Sequence, residues 1–283
     1  MIDDTRRPIA VAVASDGSPA ALRFAVHEAL RTGCGLHLVH VADAAGTTDR
    51  DAADRQAHGV LFVAAVHARA VLAGRGLVTR TVVHGPVPEA VVAASADARS
   101  IVVGRRRSPA QDGGTTRATS AAIACRSPLP VVSVPGDWQA HDRGRVTVGL
   151  DLPELNRTVL EEAWHLAAAH RAVLQVVHTS LAEVDSILTD LRSAGDETVP
   201  VQLDLQLHRD RMERALLEAS RSSDLVVLGR GAGAVHHGLR LGRLALAVLR
   251  GSDAPVLLVS PGASRRLGAR TEARPGIRTA LVG

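Results

Sequence analysis

Three residues that could contact a small ligand stand at the ends of apolar, strand-like runs in the first half of this 283-residue chain. Asp16 follows the run IAVAVAS, Val41 closes LHLVHV, and Gly104 closes SIVVG. If these runs are parallel strands, their carboxyl ends meet at one edge of a sheet, where ligands of open α/β sheets bind. The pattern therefore indicates where a ligand would bind, although many folds share it.

The same order of segments occurs twice along the chain. The corresponding segments, first half against second, are residues 9–41 and 146–179, 100–107 and 224–231, and 127–135 and 252–260. A period this long indicates a duplicated domain, because solenoid repeats span roughly 20–50 residues. The second-half positions that correspond to the three residues above are Asp151, Thr179 and Gly229.

Alternation of apolar runs and amphipathic stretches predicts the fold class. Runs rich in Val and Ile are typical of parallel strands covered on both faces, and the stretches between them have apolar residues at helical spacing. We expect two tandem α/β domains, each an open parallel sheet with helices on both faces, Rossmann-like in arrangement. The predicted domains are 1–135 and 145–260, with a linker at 136–144 and a disordered Arg-rich tail at 261–283.

Local signals predict where some helices begin and end. Ser18 is a candidate N-cap before Pro19, a residue that suits the first helical position. The polar, Ala- and Asp-rich residues 43–57 are predicted to be a mobile connector, followed by a helix over 58–74. The corresponding helix of the second half is predicted over 184–194.

Composition excludes several classes of function. Aromatic residues make up 1% of the chain, which argues against the aromatic stacking platforms of single-stranded nucleic-acid binders. All 33 basic residues are Arg and the formal charge is only +4, so a Walker A lysine is excluded and nucleic-acid binding is not expected. The sequence shows neither a signal-peptide h-region nor an apolar run of about 18 residues. We expect a cytoplasmic protein without membrane partners.

Few residues suggest catalysis or metal binding. His236 and His237 are adjacent and have no evident third ligand, so we expect no metal site. No Gly-x-Ser-x-Gly elbow occurs, and we expect no catalytic residue, with weak ATP hydrolysis as the open alternative. The basic run 105–107 either contacts an anion or forms a solvated loop. Four histidines near strand ends are expected to be structural, namely His40, His84, His178 and His208.

The order of motifs resembles the universal stress protein family in its tandem form, over roughly residues 8–260. The matching motifs of the first half are Asp-Gly-Ser-Pro after the first strand, a strand ending in Val-His-Val, His-Gly-x-Pro at 84–87 (His-Gly-Pro-Val here), and Val-Val-Gly before a basic loop. No single motif is specific, but their order occurs twice. Members often pair through their last strands, so the resemblance implies self-association through 131–134 and 256–259, as an internal two-fold contact.

The resemblance also implies an adenine nucleotide site, with ATP, ADP or AMP as ligand. By position, the adenine end would lie near Asp16 and Val41, and in the second half near Asp151 and Thr179. The phosphates would rest on a loop patterned Gly, two residues, Gly, nine residues, Gly-Ser/Thr. Glycines let backbone N–H groups approach phosphate oxygens, and a following helix N-terminus favours anions.

Both halves depart from this loop pattern. In the first half Gly104 matches, but Arg107 replaces the second glycine and Arg117-Ala118 replaces the closing pair. In the second half Gly229 matches and Ala232 replaces the middle glycine. The remaining second-half loop positions are Gly231, Gly233, Gly238, Gly242 and Arg243. More glycines remain there, so the second half is the better candidate for an anion site.

Three functions remain open from the sequence. The first is a stress-response protein that binds an adenine nucleotide, preferably in its second half. The second is a scaffold that has lost the nucleotide site and acts through protein contacts and dimerisation, since glycines and hydroxyls are missing from both loops. The third is a phosphate-hydrolysing or phosphate-transferring enzyme, for which we find no general base, metal pair or nucleophile.

Overall fold

The computed structural model describes residues 7–42, 50–105, 115–179, 181–194, 201–208, 212–231 and 241–260. The first half contains β1 Ile9–Ala12, α1 Pro19–Thr32, β2 Leu36–Val41, α2 Arg50–Leu72, β3 Val78–Val83, α3 Val87–Ala94, β4 Ser100–Arg105, α4 Thr115–Arg126 and β5 Val131–Pro135. The second half contains β6 Arg145–Leu150, α5 Pro153–His170, β7 Val173–His178, α6 Leu181–Ala194, β8 Leu203–Leu207, α7 Met212–Ser220, β9 Leu225–Gly229, α8 Arg243–Gly251 and β10 Val256–Val259. The predicted tail, 261–283, lies outside the described residues.

All ten strands form one sheet in the order β3-β2-β1-β4-β5-β10-β9-β6-β7-β8. Within each half the strands are parallel, and the strand order reverses between β1 and β4 and between β6 and β9. This arrangement confirms the predicted α/β class with parallel sheets. A reversal of strand order opens a crevice at the carboxyl ends of the strands, which is the usual ligand position in such sheets.

The two halves join through their last strands. β5 and β10 pair antiparallel, with Ser133 opposite Val256 and Val131 opposite Leu258. The internal contact predicted between residues 131–134 and 256–259 is therefore confirmed. Each of these two strands has a neighbour on both sides, so neither offers a free edge to a second chain, and dimerisation stays a prediction.

Two apolar cores cover the two faces of the sheet. Alternate strand residues belong to different cores: Ile9 and Val11 to one, Ala10 to the other. Helices α1, α2, α5 and α6 pack on the first face, and α3, α4, α7 and α8 on the second. Phe24 packs edge-on against Trp138 of the linker, with ring centroids 5.4 Å apart. Nearly all other core contacts are aliphatic, as the composition requires.

The prediction of a connector over 43–57 is wrong for its last eight residues. α2 begins at Arg50, and its buried side includes Ala53, Ala57 and Leu61 at helical spacing. Because the first turns bury only alanines, their apolar stripe is too weak to stand out in a polar segment. α6 likewise begins at Leu181, three residues before the predicted start at 184.

The predicted N-cap at Ser18 is also wrong in its mechanism. Ser18 has a left-handed backbone, with φ at 45°, and its side chain makes no cap hydrogen bond to α1. Instead its Oγ accepts a hydrogen bond from the Ala14 N–H at 2.9 Å. The side chain therefore closes the loop after β1 and leaves the helix start to Pro19.

A buried acid–histidine contact joins α1 to α5. Glu28 Oε1 lies 2.8 Å from His170 Nε2 and 3.8 Å from Arg31 Nη1. Burial alone would raise the pKa of Glu28, but contact with His170 and the charges of Arg31 and Arg99 outweigh it. The net pKa of Glu28 lies below its ordinary value of 4.5, so its ionised form stabilises the packing between the halves.

We therefore expect acid to weaken this contact. A depressed pKa contributes stability that is complete above the ordinary value of 4.5 and is lost as the pH falls through the lower folded-state value. Urea unfolding between about pH 3 and 7 should show a steeper loss of stability below pH 4.5 in the wild type than in Glu28→Gln. Glu213→Gln, an exposed change in α7, is the control and should follow the wild type. Parallel wild-type and Glu28→Gln curves would contradict the assignment.

Candidate functional site

A cavity of about 780 Å³ opens at the carboxyl ends of β1, β2 and β4. Its lining includes Asp16, Val41 and Gly104, so the structure brings together the three first-half residues singled out from the sequence. The volume lies within the range of small-molecule sites, roughly 300–1,000 Å³. The cavity flanks the point where the strand order reverses between β1 and β4.

The loop after β1 holds Asp16 in a tight turn. Its Oδ1 accepts a hydrogen bond from the Ser18 N–H at 2.9 Å, and the Gly17 N–H donates to the Ala14 carbonyl at 2.9 Å. Together with the Ser18–Ala14 bond, these contacts fix the loop backbone before any ligand arrives. One wall of the cavity is therefore preorganised by its own sequence, Ala-Ser-Asp-Gly-Ser.

His40 supports the floor of the cavity. Its Nδ1 lies 2.7 Å from the Val13 carbonyl oxygen, to which it donates, and its side chain is buried. The hydrogen bond ties β2 to the residue after β1, so His40 has the predicted structural role. His178 is buried at the matching second-half position. His84 instead lies 3.4 Å from Asp54 Oδ1, a contact with a helix side chain.

Gly104 leaves open space in the cavity wall. A Cβ built at this position would lie 3.7 Å from Ala21 Cβ and 3.9 Å from Ser18 Oγ, both ordinary contacts. A side chain at position 104 would therefore cause no steric clash at its Cβ. Because Gly104, Ser18 and Ala21 all line the cavity, a larger side chain at position 104 would occupy space at this part of its wall.

Arg105 fits neither of the two alternatives that the sequence left open, a contact with an anion or a place in a solvated loop. It is buried, and its guanidinium donates to carbonyl oxygens of the other half: Leu249 O, Ser252 O at 2.6 Å and Ala254 O at 3.2 Å. Arg106 and Arg107 lie outside the described residues, and Arg117 and Ala118 occupy the first turn of α4. Whether Arg107 fills the phosphate space thus stays open.

Sequence reasoning missed part of the cavity lining. Ala53, Gln56 and Ala57 of α2 line it, as do Thr119 of α4 and Asp137 of the linker. The α2 residues were missed because they lie in the segment taken as a connector. Their spacing of three and four residues was the available signal.

In the second half, Asp151, Thr179 and Gly229 follow or end neighbouring strands. The register places Leu150 beside His178, and β6 beside β9, so the three residues share one edge of the sheet. Asn156 was not predicted from the sequence as a residue of this edge. It is buried, and its Oδ1 accepts a hydrogen bond from the Leu152 N–H at 3.2 Å, which holds the turn after β6.

Gly231 and Gly242 close the second-half loop by direct backbone packing. Gly231 has a positive φ of 80°, and a Cβ there would lie 2.8 Å from Gly242 Cα. The Gly242 N–H donates to the Arg230 carbonyl at 2.8 Å, and Arg243 begins α8. The loop's own geometry therefore requires glycine at position 231, whereas a Cβ at position 242 would lie 3.4 Å from Gly231 Cα, an ordinary contact. The intervening Ala232, Gly233 and Gly238 lie outside the described residues.

Comparison with known proteins identifies the family. The profile of the universal stress protein family matches residues 5–135. A universal stress protein of Mycolicibacterium smegmatis is 27% identical over 278 residues, covering 86% of this chain and 93% of its own. Residues 5–135 therefore form a domain of the universal stress protein family, and the chain as a whole is similar to universal stress proteins. The predicted resemblance is therefore confirmed, and the alignment with the M. smegmatis protein extends across both halves.

A solved structure confirms the fold of this chain. It is a universal stress protein from Archaeoglobus fulgidus DSM 4304, with a TM-score of 0.70 at 19% identity, and the alignment covers 89% of this chain and 98% of that one. Another A. fulgidus universal stress protein, in complex with dAMP, is 25% identical and covers 46% of this chain and 98% of its own, at a TM-score of 0.37. The dAMP is a ligand of that protein, and the low TM-score gives no argument for this chain.

Two further findings concern the described residues. They contain no cluster of three His, Cys, Asp or Glu side chains arranged to hold a metal ion. Their helices include none that is both long and apolar enough to cross a membrane.

The packing of Gly231 on Gly242 gives a matched test of the second-half loop. Gly231→Ala should lower the free energy of unfolding by roughly 1–3 kcal/mol, because it combines a positive φ with a 2.8 Å contact. Gly242→Ala should cost less, since its Cβ would lie 3.4 Å from Gly231 Cα, without a positive φ. Urea unfolding measures both variants. Equal losses would show that the loop is not closed in this way.

Proposed function

We propose that the chain as a whole is a universal stress protein and that it binds an adenine nucleotide in the first-half cavity. The observation that carries the proposal is the convergence of Asp16, Val41 and Gly104 on one cavity at the strand-order reversal. The sequence favoured the second half because it keeps more glycines. We prefer the first half because its cavity has the size and lining of a ligand site, whereas Gly231 is explained by its packing on Gly242.

The lining supplies different chemistry to the two ends of such a ligand. Apolar side chains from neighbouring strand ends, including Val39, Val41 and Val103, offer a surface for a flat base. Asp16 offers a carboxylate oxygen to hydroxyl or amino groups. Thr119, in the second turn of α4, lines the cavity and offers a hydroxyl group to phosphate oxygens.

Filling the space beside Gly104 tests the site. Gly104→Val should weaken binding of ATP, ADP and AMP by about tenfold or more, because its methyl groups enter the cavity while its Cβ makes ordinary contacts and suits a strand. Gly242→Val is the matched second-half variant and should leave this affinity unchanged. Calorimetric titration measures both, and phosphate release from ATP should stay at the level of heat-killed protein.

The opposite pattern would contradict the assignment. If Gly242→Val abolished binding and Gly104→Val did not, the nucleotide would belong to the second half. Absence of binding to the wild type would remove nucleotide recognition altogether.

A scaffold role is the second candidate function, and a specific surface favours it. α2 exposes four large apolar side chains: Phe62 (56% exposed), Val63 (68%), Val66 (49%) and Val71 (45%). The Arg80 guanidinium lies 5.5 Å from the centroid of the Phe62 ring. Contiguous exposed apolar groups rimmed by charge are typical of protein-interaction sites.

Site-specific photo-crosslinking in stressed cells tests this surface. Replacement of Phe62 and Val63 by Ser should remove crosslinks formed from α2, including any to a second copy of the chain, because the apolar contact area is lost. Leu77→Ser, equally exposed but outside α2, should keep them. A crosslink pattern unaffected by the double variant would contradict the scaffold role.

A further inference from the structure

Two arginines at equivalent positions of the repeats cross to the opposite half. Arg105 follows Gly104 at the end of β4, and Arg230 follows Gly229 at the end of β9. Each reaches the C-terminal end of the helix that follows the corresponding strand in the other half. The chain therefore contains two copies of one contact, related by the pairing of β5 with β10.

Arg105 holds the end of α8. Its side chain is only 4% exposed, and the guanidinium donates to Leu249 O, to Ser252 O at 2.6 Å and to Ala254 O at 3.2 Å. α8 ends at Gly251, so these carbonyls come from its last turn and the residues just beyond it.

Arg230 holds the end of α4 in the same way. Its Nη1 donates to Ala124 O, to Ser127 O at 2.6 Å and to Cys125 O at 3.4 Å. α4 ends at Arg126. Each half thus supplies one arginine to a helix end of the other half.

Helix ends explain why arginine serves here. The last four carbonyls of a helix have no partner within it and carry partial negative charge. A guanidinium offers five N–H donors in a rigid plane, so one side chain satisfies several of them at once. The antiparallel joint brings the C-terminal end of each helix against the carboxyl edge of the opposite half.

Both contacts involve residues or elements that line the proposed ligand cavity. Arg105 itself contributes to the cavity lining, and α4 contributes Thr119 and Ile123. The last turn of α4, directly after Ile123, is the part held by Arg230. The position of one cavity wall therefore depends on a side chain that the other half supplies.

We propose that Arg105 and Arg230 form a reciprocal latch between the halves, and that Arg230 is a positioning residue for the first-half cavity. The latch is independent of any ligand, whereas its effect on affinity rests on the proposed nucleotide site. Arg230 acts through α4 and does not touch the ligand.

Hydrogen exchange of the ligand-free full chain tests the latch itself. Arg230→Met should speed amide exchange in the last turn of α4, around residues 123–127, by roughly tenfold, while exchange in the strands is unchanged. Arg105→Met should do the same at the end of α8. Arg230→Lys, with three donors, should give an intermediate rate. Arg214→Met, an exposed change in α7, is the control. Unchanged exchange at both helix ends, or equal acceleration everywhere, would overturn the latch.

Titration with AMP tests the positioning role. Arg230→Met should weaken binding roughly 3- to 30-fold, with partial recovery in Arg230→Lys and none of this loss in Arg214→Met. A folded variant that was only less stable would keep its affinity, so weaker binding reports a displaced cavity wall. Wild-type affinity in Arg230→Met would overturn the positioning role. Failure of the wild type to bind AMP would remove the positioning role and the nucleotide site together, and the exchange measurement would still decide the latch.

Discussion

The antiparallel pairing of β5 with β10 is the contact on which the rest of the structure depends. It joins two parallel five-stranded sheets into one ten-stranded sheet and pairs two strand edges that would otherwise be exposed. Because the joint is antiparallel, the carboxyl edge of each half lies beside the amino edge of the other. The reciprocal contacts of Arg105 and Arg230, and the buried Glu28–His170 contact, are consequences of this geometry.

The two halves share ancestry but use their loops differently. In the first half, hydrogen bonds among Ala14, Asp16 and Ser18 shape the turn after β1, and Gly104 leaves the adjoining wall open. In the second half, Asn156 holds the equivalent turn and Gly231 packs on Gly242. Counting glycines alone therefore does not decide between the halves, since a glycine can serve either an open wall or tight backbone packing.

The structural features that depend on local sequence pattern and on the duplication could be predicted from the sequence. The parallel sheets, the helices on both faces and the meeting of Asp16, Val41 and Gly104 follow from buried runs that alternate with amphipathic stretches. The start of α2 was missed because its inner face is built from alanine. The role of Arg105 was missed because its acceptor Leu249 O lies 144 residues away, and no local pattern reports a contact of that kind. The side chain of Ser18 was misassigned because its left-handed backbone is not visible in the residue type.

The most direct test of the account is amide hydrogen exchange with and without AMP. A nucleotide in the first-half cavity should slow exchange at residues 14–16 and 18, at Val41 and Ala42, and at Gly104, because these residues line the cavity. Protection confined to residues 229–231 and 241–243, or no protection by saturating nucleotide, would contradict the first-half site.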